Sequence, residues 1–355
     1  MRISIMMLLL MLTACAHVGP STIARDRFDY VSAISESWKR QMLLNLVKVR
    51  YTDAPVFMDV ASVISSYEVA GELDLRGQVA DKFNNTLAGD QFLSLGATGR
   101  YVDRPTISYQ PLSGDKFARS MMMPIPLSAV LFLIQSGYPA DLVLRVCVNS
   151  INGLENSYGG LGSPRAGNPK FHELVTAIRE SQNAGGMGMR MKVTKDKQLV
   201  SMFLRSTTDE AILARNRKIL ALLSLKESAR EFSVVYGDFP ENDSEIAMLS
   251  RSIIQILVDT ASYIDVPEAD LKEGSVYVSQ RSAEQEQMFP QLIFIHCGSS
   301  APGNAFVSVQ YRGQWFWIED RDIQSKAMLN FIMLMFSLTE TGTAQAAPVV
   351  TVPAR

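Results

Sequence analysis

Two stretches in the first third of the chain alternate apolar and polar residues with a period of two. From residue 61 to 75 the apolar positions are Ala61, Val63, Tyr67, Val69, Leu73 and Leu75. From residue 93 to 109 a second alternation begins with Leu93, Leu95, Ala97, Gly99 and Tyr101 and continues past Pro105. Successive side chains of a strand lie on opposite faces, so the pattern predicts two long strands with one apolar face each. We predict that they form one antiparallel hairpin.

Two environments are open to this hairpin. A helix is predicted over residues 31–50, where Ile34, Trp38, Met42 and Leu46 recur at helical spacing. This helix can cover the apolar face, and we favour an α+β body with the hairpin packed inside it. Each strand also exceeds the roughly 9–11 residues that cross an outer membrane. The alternative is therefore an oligomeric outer-membrane secretion or pore component that uses the hairpin of residues 61–109.

Helices and short strands alternate along the rest of the chain. Helices are predicted near residues 127–136, 139–153, 169–183, 208–225, 250–263 and 323–338. Strands are predicted near residues 187–193, 199–204, 231–236, 275–279, 292–297, 306–311 and 315–319. Gly, Ser, Asn and Pro dominate residues 154–168, which predicts a flexible loop or domain boundary. The predicted fold class is α+β, with mixed helices, a largely antiparallel sheet, a long N-terminal hairpin, and a C-terminal hairpin followed by a helix.

The first 14 residues have the form of a secretion signal. Arg2 supplies a positive charge, residues 3–12 are apolar apart from Ser4, and Thr13-Ala14 then precede Cys15. The apolar run is shorter than the roughly 20 residues of a spanning helix. It resembles the lipobox that signal peptidase II cuts in bacterial lipoproteins, and the resemblance implies that Cys15 is the lipidated first residue of the mature protein.

The same resemblance implies a location. It implies a diacylglyceryl group and an N-acyl chain on Cys15, and two or more acyl chains hold a protein stably on a bilayer. An Asp after the cysteine favours inner-membrane retention in enterobacterial lipoproteins, whereas this chain has Ala16. We therefore expect a lipid anchor on the periplasmic face of the outer membrane. The expected organisation is a signal peptide (1–14), a lipidated tether (15–30), an N-terminal region (31–153), the flexible loop (154–168), a C-terminal α+β region (169–340) and an irregular tail (341–355).

Composition and histidine usage restrict the chemistry. The formal net charge is −2 and no long basic run occurs, so we do not predict a nucleic-acid partner. His172 fails as part of a metalloprotease helix because Thr176 stands where a second histidine is required. His296 and Cys297 are neighbours on a predicted strand and face opposite ways, so a catalytic pair would need Cys297 to meet His172. We predict no catalytic residue, metal or cofactor, and a periplasmic hydrolase is a second alternative.

Sulfur-containing residues are interpreted as core residues. Cys147 and Cys297 could form a disulfide in an oxidising periplasm. Each lies in an apolar run, however, and a free cysteine there behaves as a small hydrophobe, which is the favoured interpretation. Met187, Met189 and Met191 could offer thioether ligands to Cu(I), but their spacing on a strand favours filling of the core.

The register of the last predicted hairpin decides where Trp315 and Trp317 lie. If Arg312 and Gly313 form a two-residue turn, the two indoles lie outside the core and form a candidate ligand or partner surface. If residues 311–313 form a three-residue loop with Gly313 left-handed, the indoles join the core. A positive φ is unfavourable for Arg312, so we favour the three-residue loop.

Three further segments, residues 25–30, 53–57 and 312–318, look like segments of uncharacterised proteobacterial lipoproteins. That resemblance covers most of the mature chain and implies no activity. We expect a membrane-anchored lipoprotein with a non-enzymatic structural or binding role in the cell envelope. Its expected partners are the lipid bilayer, through acylated Cys15, and envelope proteins. The sequence sets no oligomeric state.

We predict that Cys15→Ser releases the protein from membranes and leaves its fold unchanged, because the predicted tether contributes no core residues. Membrane fractionation measures the first effect and circular dichroism of the purified variant measures the second. A variant that still sediments with membranes would mean that another part of the chain binds lipid.

Overall fold

A computed structural model describes residues 20–64, 67–77, 93–103, 106–160, 164–193, 198–277 and 283–339. Its helices are α1 (Pro20–Arg50), α2 (Asp115–Met122), α3 (Leu127–Gln135), α4 (Ala140–Cys147), α5 (Pro169–Asn183), α6 (Glu210–Leu222), α7 (Ile253–Ala261), α8 (Glu268–Glu273), α9 (Ala283–Met288) and α10 (Ile323–Thr339). Its strands are β1 (Phe57–Ile64), β2 (Tyr67–Gly77), β3 (Leu93–Asp103), β4 (Thr106–Leu112), β5 (Val148–Ile151), β6 (Leu154–Glu155), β7 (Met187–Val193), β8 (Gln198–Leu204), β9 (Glu231–Tyr236), β10 (Glu245–Ser250), β11 (His296–Gly298), β12 (Ala305–Tyr311) and β13 (Gln314–Glu319). The α+β class is confirmed. Within these residues, no helix is both long enough and apolar enough to span a bilayer.

The chain divides into two compact units, and the smaller one is the predicted hairpin. This unit, Phe57–Leu112, is called the ribbon below. In it β2 pairs with β3 from Tyr67↔Asp103 to Gly77↔Leu93, and β1 pairs with β4 from Phe57↔Leu112 to Ile64↔Thr106. The predicted antiparallel pairing is confirmed. The expectation that the hairpin is packed inside the body stays a prediction.

The larger unit, called the body below, comprises the residues before and after the ribbon. Its six-stranded sheet has the order β6-β5-β10-β9-β8-β7 among the described strands, and its pairs are antiparallel except for β9 with β10. Helices α3 and α5 contact this sheet. A second sheet has the order β11-β13-β12. Helix α1, which was expected to cover the hairpin, packs on β12 and on α7.

Helix α1 begins at Pro20, eleven residues before the predicted start and inside the stretch interpreted as a tether (15–30). Proline suits the first turn of a helix, where its missing N–H needs no partner. Residues 27–29 are exposed, whereas Leu43, Leu46 and Val47 are fully buried. Because residues 27–29 are exposed, a periodicity of buried apolar residues did not predict this part of the helix.

Two central strands of the sheet were missed. Val148–Ile151 was interpreted as the end of a helix, but all four of its residues are buried in β5. A short apolar run does not distinguish a buried strand from a buried helix. β10 was also missed, and the helix expected from Ser250 begins at Ile253, where Ser252 and Gln255 form a capping box. Of the strand expected at 292–297 only the His296–Gly298 end forms. Residues 275–277 form no strand, and residues 278 and 279 lie outside the described part.

Several described residues of the predicted flexible loop, residues 154–168, form hydrogen bonds with the rest of the body. Glu155 pairs with Ser150 in the sheet. The Asn156 side chain, 1% exposed, donates to the carbonyls of Arg145 and Val148 at 2.8 and 2.7 Å. Tyr158 and Arg165 exchange two backbone hydrogen bonds. Composition did not predict this order because it depends on partners elsewhere in the sequence. The two compact units divide beside Phe57 and Leu112.

A buried arginine connects this segment to the sheet and the helices. Arg251 is 1% exposed and follows β10 directly. Its Nε donates to Asn149 at 3.1 Å, its Nη1 to Asp259 at 2.9 Å, and its Nη2 to the carbonyl of Ser157. The other carboxylate oxygen of Asp259 accepts from the backbone N–H of Gly159 at 2.7 Å. Sheet, helix α7 and the 154–168 segment therefore meet at one ion pair.

We predict that Asp259→Ala, in the Cys15→Ser background, lowers the free energy of unfolding by about 3–5 kcal/mol, because it leaves the Arg251 charge buried without its partner. The matched control is Glu268→Ala, which breaks the exposed ion pair with Lys272 and should cost less than about 1 kcal/mol. Urea unfolding followed by circular dichroism compares the two. Equal losses would contradict the assigned importance of the buried pair.

Candidate functional site

The turn between β12 and β13 has two residues. Tyr311 pairs with Gln314, so that Arg312 and Gly313 connect the strands with φ angles of 49° and 80°. Two central residues with positive φ are typical of a type I′ turn, whose twist suits a hairpin. The favoured three-residue loop was therefore wrong.

Tertiary contacts explain why Arg312 accepts this conformation. Tyr51 directly follows α1, and the Arg312 guanidinium lies 5.1 Å from the centre of the Tyr51 ring. The neighbouring Tyr311 hydroxyl donates to Asp53 at 3.0 Å. A cation–π contact contributes about 0.5–1 kcal/mol at an exposed site, which offsets part of the roughly 1–2 kcal/mol cost of a left-handed residue. The φ preference of arginine alone does not include these contacts, so it predicted the wrong turn.

This register sorts the strand residues onto two faces. Phe316 and Ile318 are fully buried and pair with Val309 and Val307. Trp315 and Trp317 therefore lie on the opposite face, where both are half-buried. The structure thus places both predicted surface residues outside the buried face.

Two cross-strand rows form what we call the Trp face. Trp317 lies between His296 and Ser308, and Trp315 lies between Gly298 and Gln310. The two-residue turn also predicts Ser308 and Gln310 beside the indoles, whereas His296 and Gly298 were not predicted on this face. The signal for His296 and Gly298 was weak, since β11 contains only three residues.

The Trp face has a defined shape around Trp317. The centres of the Trp317 and His296 rings are 5.6 Å apart, with a tilt of 39°. His296 Nδ1 lies 3.5 Å from a carboxylate oxygen of Asp265. A Cβ added to Gly298 would stand 3.3 Å from the Trp317 ring, so the indole lies close over the glycine backbone. The face offers aromatic surface together with an imidazole and a carboxylate at its edge.

The residues considered for catalysis do not come together. His172 lies on α5 with its ring 5.4 Å from Phe289, and burial lowers its pKa. Cys297 lies on β11 opposite Phe316, and burial raises its pKa to about 11. Such a thiol is not activated, because the thiolate is the nucleophile. The described residues show no hydrogen bond between His172 and Cys297.

The remaining sulfur and metal candidates also have structural positions. Cys147 and Cys297 are both free, and burial raises the pKa of Cys147 to about 12. The Cys147 sulfur lies 3.9 Å from that of Met335. Met187 and Met189 lie on β7 as expected, and Met189 lines an apolar space in the core of the body. Among the described residues, no three His, Cys, Asp or Glu side chains are grouped as metal ligands.

Comparison with known proteins adds no relative. No protein-family model, curated protein or solved structure matches this chain. Cys15 lies outside the described residues, so the lipid anchor stays a prediction from the sequence. Any functional proposal therefore depends on the geometry of the Trp face and the pattern of the N-terminus.

Proposed function

We propose that this chain is a lipoprotein of the outer membrane, anchored through Cys15 on the periplasmic face, that binds an envelope protein through the Trp face. The observation that carries the binding role is the position of Trp315 and Trp317 on the face opposite the core. Tryptophan is enriched among the few residues that dominate binding energy at protein interfaces.

The chemistry of the Trp face supports binding rather than catalysis. Its central groups are indoles, which give large contact area and one N–H donor each. His296 and Asp265 add a polar edge that can fix the orientation of a partner. Neither the indoles nor this polar edge supplies an activated nucleophile. A half-buried aromatic pair also costs little conformational entropy when it binds, since the surrounding strands already hold it.

Mild crosslinking of the native lipoprotein, followed by mass spectrometry, identifies the partner protein. We expect the double substitution Trp315→Ala/Trp317→Ala to weaken binding of that partner by roughly 30-fold or more, which corresponds to about 2 kcal/mol for one interface hot spot. Calorimetry with the two purified proteins measures the change.

The matched control is Tyr236→Ala, which removes an aromatic side chain that is 56% exposed on β9, in the other sheet of the body. It should leave the affinity within about twofold of wild type, since small changes at non-contact positions are usual. Equal affinity for the wild type and the double variant would contradict the proposal. Turnover of a periplasmic substrate by the purified soluble form would contradict a purely binding role.

A further inference from the structure

The base of the ribbon has one exposed apolar face. Met58, Ile107 and Tyr109 are 42, 41 and 55% exposed. Val60 pairs with Tyr109 and Val63 pairs with Ile107, so these residues share a face. Large apolar side chains grouped in this way on a soluble surface are typical of an interaction site.

The longer part of the ribbon, β2 and β3, also has one face with apolar positions and one with polar positions. The register of β2 and β3 places apolar residues at paired positions of one face, namely Val69 with Tyr101, Leu73 with Ala97, and Leu75 with Leu95. The alternate positions hold Glu68, Ala70, Glu72, Asp74 and Arg76 on β2 and Ser94, Gly96, Thr98, Arg100 and Val102 on β3. Apart from Val102 and Leu112, the large apolar residues of β3 and β4 stand at odd-numbered positions, so the two parts of the ribbon follow a similar pattern.

Among the described strands, both long edges of the ribbon are open. In the described part of the chain β2 pairs with β3 alone, over 11 residue pairs, and neither strand has a second neighbour. A two-stranded sheet is only marginally stable in water and generally needs a third strand or a covering layer. An open edge presents unpaired N–H and C=O groups that can pair with another chain. β2 and β3 contain no proline, and the bulge in the ribbon lies in β1.

We infer that the ribbon is a self-assembly element in which β3 of one copy pairs with β2 of the next copy. This order continues the antiparallel alternation of the strands and keeps the apolar positions of successive copies on the same side. This self-assembly does not depend on any partner of the Trp face. It is also the assembly step that an outer-membrane secretion or pore role of this hairpin would need.

The charges on the two edges favour pairing of unlike strands. The polar positions of β2 hold three acidic residues and Arg76, whereas those of β3 hold Arg100 and no acidic residue. Pairing β2 with β2 would place acidic rows opposite each other, and like charges directly opposite are destabilising. Pairing β3 with β2 places Arg100 beside the acidic row of the neighbouring copy. Such a head-to-tail contact continues from copy to copy and closes when the rotation forms a ring.

Disulfide formation between two singly substituted proteins tests this pairing. One set of variants carries a cysteine on β2 (Ala70→Cys, Glu72→Cys or Asp74→Cys), and the other carries one on β3 (Gly96→Cys, Thr98→Cys or Arg100→Cys). All also carry Cys147→Ala and Cys297→Ala. Full-length lipoproteins with different tags are co-expressed, extracted in mild detergent and oxidised. Because each chain has one engineered thiol, a disulfide between the two tags can form only between copies.

We expect disulfides between a β2 variant and a β3 variant at one register, since a disulfide needs Cα atoms within about 7 Å. The yield of this disulfide should be at least about tenfold higher than the disulfide yield with the control variant Lys272→Cys. The Lys272 side chain is 77% exposed on the body. Native mass spectrometry of the wild-type extract should show an oligomer. A monomeric extract without β2–β3 disulfides would overturn the inference. It would indicate that the ribbon of a single copy contacts lipid or another protein. Disulfides between identical β2 positions would overturn the head-to-tail order.

Discussion

The body of this protein depends on the buried guanidinium of Arg251. An unpaired charge in this position would be strongly unfavourable, and the structure surrounds it with the acceptors Asn149, Asp259 and the carbonyl of Ser157. Its backbone N–H also donates to the carbonyl of Cys147 at 2.7 Å. These contacts join the end of α4, strand β5, helix α7 and the 154–168 segment. The planar fork of arginine suits such a junction, because its five N–H donors have fixed directions.

The same junction is connected to the Trp face through the chain that follows α7. Helix α7, which carries Asp259, ends at Ala261. The chain then forms a bridge between Ile264 and Ile295, and the Asp265 N–H donates to the carbonyl of Ile295 at 3.0 Å. The next residue, His296, begins β11 and lies beside Trp317. The polar edge of the Trp face is therefore held by the chain that leaves the helix containing the ion pair.

Elements with local causes could be predicted from the sequence. Helix α5 begins where Asn168 accepts a hydrogen bond from the Lys170 N–H, and α6 begins where Asp209 caps it. The alternation in residues 61–109 predicted the pairing of the ribbon. Elements that depend on distant partners could not be predicted. The order of residues 154–168 depends on Arg251, and the turn at Arg312 depends on Tyr51. Of the site, the sequence identified both tryptophans, but it favoured the wrong register.

Amide hydrogen exchange at Gly159 tests the central claim, which is that the Arg251–Asp259 pair holds a glycine-rich segment in the core. The Gly159 N–H donates to Asp259 at 2.7 Å. If the pair holds the segment, this amide exchanges only when the body unfolds, as slowly as the amides of the central strands β9 and β10. Exchange at the rate of an exposed loop amide such as that of Gly303 would contradict the account.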